Sequence, residues 1–554
     1  MKKALLLLAC VALTCATTFA QKAVVGTPYS FRHSNVSMTI DRIDLPAMDV
    51  DKLMAEDALT EKGTPLRIGT VHNVSYTFQN CGRTDKLADG GILWRLSIKS
   101  PGALMMSVIF SRFNLPQGST FHIYSGDGSQ LTGTYTNEDF LETDGLMASE
   151  DILGDEIVLE YYEPADALYH GDIEIARVSH IYRDFLHQVA SSKGHWGDAE
   201  GDCHYNVNCP EGIGWRDQIN SVVCISITDN TGSYLCSGAM INNVRMDKTP
   251  YVLTANHCFT GTTGGTFKFY FNYQTLTCDG YTGYFNRVAN GATVIANAGL
   301  NAQHTNMSSS SDFLLLKITG ALGALYRDSI VFAGWDATGA SSVGSAIHHP
   351  GGDYKKISLP RLVYSPGGSY NRYWTVYWYT NPNKGCTEQG SSGSPLFNAN
   401  GLIIGDLSNG SSACDNTAGT DNYGKFSYSW TNNNNSNNAR KLKPWLDPDN
   451  TGTLVLQGMR YDGTPAGITN HNLPVRSLTL SPNPSVGNIT IQGNFESESG
   501  ICNVFNAMGT LVSTQNIQLD NNLNMDFSNL SNGIYFIEIV NDNHIYKTKM
   551  VIAK

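Results

Sequence analysis

Eight of the chain's twelve cysteines crowd into the stretch from Cys203 to Cys414. What such a set means depends on the redox compartment, and the N-terminus decides that. Lys2 and Lys3 precede the apolar run ALLLLACVAL, and a small-residue stretch ends at Ala20. This is the pattern of a secretory signal peptide over residues 1–20, cut between Ala20 and Gln21. The run is too short to span a bilayer, and no later stretch approaches the roughly 18 apolar residues of a membrane helix. Cys10 follows Leu-Leu-Ala as in a lipoprotein site, but it lies too early in the run for that processing. In an exported chain, an even set of cysteines reads as disulfides. A metal cluster would need close Cys-x-x-Cys pairs, which the sequence lacks, so no metal and no cofactor is expected. Cys10 and Cys15 leave with the signal peptide, and Cys81 and Cys502 stand apart.

The 554 residues are too many for one core. Charged residues make up only 16 %, there are 54 glycines, and alternating apolar segments recur between turn signals. The chain therefore reads as all-β and loop-rich. Its net charge of −12, with no basic run, excludes a nucleic-acid partner. Residues 21–193, with segments such as GALMMSVIFSRFNLPQGSTFHIYSGDG, form a β-rich N-terminal domain. Residues 194–459 carry the cysteine cluster, an Asn-rich loop from Asn432 to Asn438 and a helix around ARKLKPWL. Residues 460–477 are polar, with Gly and Pro, and read as a linker. Residues 478–554 alternate well and form a small β-sandwich.

Three fragments carry chemistry. GSSGSP at 390–395 sets Ser392 on a tight glycine turn. A serine hydroxyl needs a base to become a nucleophile, and backbone N–H groups, here of Gly390 and Ser392, to receive the oxyanion. Such strings are common in turns, so this fragment alone is weak. YVLTANHCF at 251–259 ends an apolar strand on His257, with Cys258 placed to anchor the loop. SDFLLLKI at 311–318 opens a buried strand with Asp312, an acid able to hold an imidazole in one tautomer. The order His257, Asp312, Ser392 is the chymotrypsin order of a catalytic triad, unlike those of subtilisin or the α/β-hydrolases.

With CPEG (209–212), FNYQ (271–274), FAGWD (332–336), AIHHP (346–350), TEQGSSGSP, DNYG (421–424) and WLDP (445–448), the segment 200–459 resembles the bacterial lysyl endopeptidase family of trypsin-like serine proteases. The resemblance implies a chymotrypsin-like double β-barrel with the site in the cleft between barrels. It also implies disulfides Cys203–Cys414, Cys209–Cys278 and Cys236–Cys258, which leaves Cys224 and Cys386 as a fourth pair by elimination. The activity it implies is cleavage of extracellular proteins and peptides after lysine. The trypsin pocket acid lies six residues before the nucleophile, where this chain has Cys386. The family's acid follows the nucleophile in a D-x-Y-G segment, which makes Asp421 the pocket acid for a substrate ammonium. Glu388 is a rival. A family histidine after the nucleophile is replaced by Ser408, which bears on lysine-over-arginine strictness. A family tryptophan also has no clear counterpart in YSPGGSYNR. His348 and His349, as strand neighbours, face opposite ways and so cannot share one metal ion; they read as structural.

In trypsin zymogens a new N-terminus pairs with an acid just before the nucleophile. That neighbour here is Ser391, so a folded prodomain is expected to block the cleft instead. Residues 21–193 resemble the family's propeptide, an intramolecular inhibitor, and Lys193-Gly194 is a bond that a lysine-specific enzyme could cut itself. LSPNPSVG, LSNGIYFIEI (530–539) and a lysine-containing last strand resemble the sorting domains of type IX secretion. This implies outer-membrane machinery as a partner, then release or surface attachment, while the resemblance to the protease family implies a monomer. Alternative readings are a broader Lys/Arg protease, a glutamyl endopeptidase (disfavoured by an acid in the pocket), and an inactive adhesin with the protease fold.

Overall fold

The computed structural model describes residues 26–37, 39–139, 145–186, 203–259, 265–278, 280, 283–284, 287–299, 311–368, 371–379, 384–416, 418–431, 435–467, 475–493, 495, 499–507, 511–520, 522–540 and 545–554. The signal peptide with Ala20 and the Lys193-Gly194 bond lie outside them.

The N-terminal domain is a sandwich. One sheet joins Asp41–Asp44, Ile92–Lys99, Glu156–Glu163 and Thr120–Ser125. The other contains Leu66–Thr77, Asp172–Ile181 and Met105–Asn114. Side chains alternate along a strand, so Trp94, Leu96 and Ile98 meet Met106, Val108 and Phe110 in one buried core. This domain is no detached module. Its strand Leu66–Thr77 pairs antiparallel with Ser233–Ile241 of the cysteine-rich part, with Gly69 opposite Ser233 and Leu66 opposite Leu235.

The first barrel runs Thr266–Phe271, Val222–Thr228, Ser233–Ile241, Tyr251–Ala255, Phe313–Ile318 and Ala292–Asn297, each antiparallel to the next. The unbroken apolar run FLLL has a reason here. Leu314 and Leu316 point into this barrel, while Phe313 and Leu315 point into a core shared with Ile347, Ile357, Phe397 and Ile403 of the second barrel. The second barrel uses Lys356–Ser358, Ser345–His348, Pro395–Phe397, Ile403–Gly410, Thr420–Lys425, Tyr373–Trp378 and Pro360–Tyr364. The helix expected around ARKLKPWL is a single turn, Lys443–Leu446, that buries Leu446 between the barrels.

Two expectations need correction. The linker does not begin at 460. Gly458–Arg460 pairs with Val331–Phe332 and with Pro465–Ala466, and Arg460 grips Asp217 through two contacts of 2.9 and 2.8 Å. Within the stretch 460–477, residues 460–467 are held by that ion pair and by the N–H of Gly467 on the same carboxylate. The second correction concerns cysteines. Cys203–Cys414, Cys209–Cys278 and Cys236–Cys258 are joined, but Cys224 and Cys386 carry free, buried thiols. Cys224 packs with Leu66, Ile68 and Tyr270, whereas Cys386 packs with Trp378 and Leu396 in the other barrel. Each behaves as a small apolar side chain, and burial pushes both thiols up, that of Cys386 to about 12.

The C-terminal domain is a sandwich of two sheets. Val475–Ser477, Ile545–Ile552, Gly533–Val540, Ser499–Asn506 and Leu511–Gln518 form one, and Thr479–Ser481, Asn488–Gln492 and Asn522–Asp526 the other. Ile491, Val504, Ile539 and Met550 lie in its core.

Candidate active site

His257 follows the strand Tyr251–Ala255, in a short helical turn Asn256–Cys258. Cys258 ties that turn to Cys236 on the neighbouring strand. Asp312 stands immediately before Phe313–Ile318, which pairs with the strand leading to His257. Its backbone takes φ = +66°, a left-handed conformation uncommon for any residue but glycine. Its surroundings hold it there. The carbonyl of Asp312 accepts the N–H of Asn256 at 2.6 Å, and its Oδ1 accepts the N–H of His257 at 3.0 Å.

The other carboxylate oxygen, Oδ2, lies 2.7 Å from His257 Nδ1. An ionised carboxylate only accepts, so Nδ1 carries the proton and Nε2 is left as the basic nitrogen, the tautomer a general base requires. Ser408 Oγ donates to the same Oδ2 at 2.6 Å. The residue at the family's histidine position thus braces Asp312. Burial is nearly complete at His257, Asp312 and Ser392, which strengthens each of these contacts.

Ser392 is fixed against the same strands. Ser237, next to Cys236, donates its N–H to the Ser392 carbonyl at 2.8 Å and its hydroxyl to the Gly390 carbonyl at 2.9 Å. Its own carbonyl accepts Thr254 Oγ1 at 2.8 Å. One serine therefore ties the turn bearing Ser392 to the strand that ends at His257. The approach is close: a Cβ on Gly393 would fall 2.1 Å from Thr254 Oγ1.

Behind the turn, Ser391 Oγ accepts the N–H of Glu388 at 3.1 Å and lies 2.7 Å from His348 Nδ1. His348 Nε2 lies 2.9 Å from Ser358 Oγ, which donates to the Cys386 carbonyl at 2.8 Å. The chain is self-consistent only with neutral His348 protonated on Nε2. Burial drives its pKa well below the usual histidine value, and His204 and His349 add to that. His349 faces the other way, toward the Asp353 carbonyl. His204, Cys386, Cys203 and Cys414 cluster, but two of these sulfurs are spent in a disulfide.

Asp421, on Thr420–Lys425, is fully buried. Its Oδ2 accepts Trp378 Nε1 at 2.7 Å, Thr387 Oγ1 at 2.7 Å and Ser412 Oγ at 2.5 Å. Its Oδ1 lies 2.7 Å from Nζ of Lys62, a residue of the N-terminal domain. The same ammonium donates to the Ser412 carbonyl at 2.7 Å and to Ser412 Oγ at 2.8 Å. Gly410 lies against this carboxylate, where a Cβ would fall 1.9 Å from Asp421 Oδ1. Glu388 instead lies 3.4 Å from His204. Lys62, Ser237 and Ser412 went unnoticed in the sequence. Only the Lys-Gly dipeptide, repeated at Lys193-Gly194, could have flagged Lys62.

Three family models match the chain: the lysyl endopeptidase N-terminal domain over residues 44–182, the lysyl endopeptidase C-terminal domain over 197–424, and the secretion system C-terminal sorting domain over 479–553. A lysyl endopeptidase of Pseudomonas aeruginosa is 26 % identical over 405 residues, spanning 69 % of this chain and 84 % of that protein. Among solved structures, a thermostable serine protease from an extremophilic microorganism matches at 15 % identity and TM-score 0.27, over 38 % of this chain and 92 % of that one. A protease of Arthrobacter nicotinovorans matches at 19 % and 0.28, over 37 % and 90 %. Mouse neuropsin, a serine protease, matches at 17 % and 0.29, over 41 % and 96 %.

Proposed function

Because the chain belongs to the lysyl endopeptidase family, we propose that it cuts proteins on the carboxyl side of lysine by a Ser-His-Asp acyl-enzyme mechanism. That it is a secreted serine endopeptidase with a chymotrypsin-like double β-barrel and a type IX sorting domain is established. In the proposed mechanism His257 Nε2 takes the proton of Ser392 Oγ as that oxygen attacks the scissile carbonyl. Asp312 stabilises the resulting imidazolium. The N–H groups of Gly390 and Ser392 receive the oxyanion, and His257 returns the proton to the leaving amine. Water then hydrolyses the acyl-enzyme by the same route.

The observation that carries the specificity is an ammonium already seated on Asp421, that of Lys62. A buried carboxylate that takes a lysine from its own chain has the shape and charge for a substrate lysine. A serine-directed sulfonyl fluoride should label mature protein at Ser392 and leave His257→Ala unlabelled. Equal labelling of both would remove the triad from the account.

The N-terminal domain serves as the inhibitor of a monomeric zymogen, released by self-cleavage at Lys193-Gly194. Purified Ser392→Ala chain should stay uncut at that bond; its maturation alone would refute self-processing.

A further inference from the structure

Residues Glu61–Thr64 form a tight turn at the specificity pocket. The N–H of Thr64 donates to the Glu61 carbonyl at 3.0 Å, and Gly63, third of the four, takes φ = +102°. That is a β-turn with glycine where a positive φ is required. Lys62 sits at its second position and projects into the pocket. Its three ammonium protons have three acceptors there, Asp421 Oδ1, the Ser412 carbonyl and Ser412 Oγ.

The turn is tethered on both sides. Upstream, Asp57 accepts Arg67 Nε at 2.7 Å, Tyr182 OH at 2.8 Å and Arg183 Nη2 at 2.7 Å, and its carbonyl accepts the N–H of Thr60 at 3.0 Å. Downstream, Leu66 enters the shared sheet opposite Leu235. Gln389, three residues before the nucleophile, donates to Thr60 Oγ1 at 2.6 Å. A Cβ on Gly63 would lie 3.1 Å from Asn409 Cβ and 3.3 Å from the Ser408 carbonyl, so the turn rests on the strand Ile403–Gly410.

We propose that this turn is a non-productive plug: Lys62 occupies the lysine pocket while the fold of the turn keeps the Lys62–Gly63 peptide out of register with Ser392. Hydrolysis requires the scissile carbonyl to be aligned within about 3–3.5 Å of the nucleophile, and a protease presents that carbonyl on an extended strand. Here the chain folds back immediately after the lysine. The domain therefore mimics the substrate's side chain without offering its bond, which lets a lysine-directed enzyme be inhibited by a lysine. This rests on Asp421 being the pocket acid.

The test uses the full chain with Ser392→Ala and two fluorescent pentapeptides, one with a central lysine and one with norleucine in its place, read by anisotropy. Adding Lys62→Ala, or separately Gly63→Ala, which strains the turn but keeps the lysine, should tighten binding of the lysine peptide at least tenfold. Unchanged affinity in both variants overturns the plug. Gained binding that ignores lysine versus norleucine overturns the pocket reading instead. In the active chain, the earliest processed species should retain an intact Lys62–Gly63 bond by mass spectrometry, and a first cut there overturns the non-productive geometry.

Discussion

His348 Nδ1 lies 2.7 Å from Ser391 Oγ, directly beside Ser392, the proposed nucleophile. Ser391 precedes Ser392 at the sequence position where trypsin has an acid, so no ion pair with a new N-terminus can form there. A neutral relay from Ser391 through His348 and Ser358 to the Cys386 carbonyl shapes the turn without a charge.

That relay makes the turn sensitive to acid. His348 is driven well below the usual histidine value, and His349 is lowered to about 3, both chiefly by burial. Unfolded histidines bind protons near pH 6.5 while these stay neutral when folded, so stability is full above that pH and is lost as pH falls below it. Each contributes a slope of at most about 1.4 kcal/mol per pH unit. Thermal unfolding of mature protein should fall steadily between pH 6.5 and 4. His348→Gln, which lacks the titrating ring, should show a shallower decline and a lower kcat at neutral pH.

Ser408→Ala removes one of the bonds holding Asp312 Oδ2. A hydrogen bond to a charged group is worth about 1.5–3 kcal/mol, so kcat/KM should fall by about ten- to a hundredfold. Peptide kinetics should show the loss in kcat, with the preference for lysine unchanged.

Gly410→Ala should act on binding instead. A Cβ placed 1.9 Å from Asp421 Oδ1 forces that carboxylate out of the position in which it receives the Lys62 ammonium. The variant should raise KM for lysine peptides steeply while sulfonyl fluoride labelling of Ser392 persists.

The free thiols can be counted. Cys81, Cys224, Cys386 and Cys502 are unbonded, so denatured precursor lacking residues 1–20 should titrate four thiols with a disulfide reagent. Two would mean that Cys224 and Cys386 are joined after all.

The triad candidates and the β-rich domains were legible in the sequence because each rests on a local pattern: a strand ending in histidine, an acid opening an apolar run, a serine among glycines. Asp421, the proposed pocket carboxylate, was legible as a candidate through a motif that follows Ser392, and the structure shows it buried with the Lys62 ammonium against it. The supports were not. Ser237 and Ser408 are ordinary strand serines whose partners lie 153 and 96 residues away. Lys62 is one lysine in a polar stretch, and its partner lies 359 residues on. Pairing cysteines by elimination failed because buried apolar surroundings reward an unbonded thiol as well as a bonded one. The order of residues 460–467 was not legible, because a polar sequence does not reveal that Arg460 meets a buried Asp217.

The most direct measurement is a digest of a mixed proteome with purified mature enzyme, wild type beside Asp421→Asn, read by mass spectrometry. Breaking a buried charge pair costs about 3–5 kcal/mol, which is roughly a hundred- to several-thousandfold in kcat/KM. The account predicts wild-type cuts confined to bonds after lysine, and their near disappearance in Asp421→Asn. Equal cutting after arginine, or a lysine preference that survives the loss of the Asp421 charge, would contradict it.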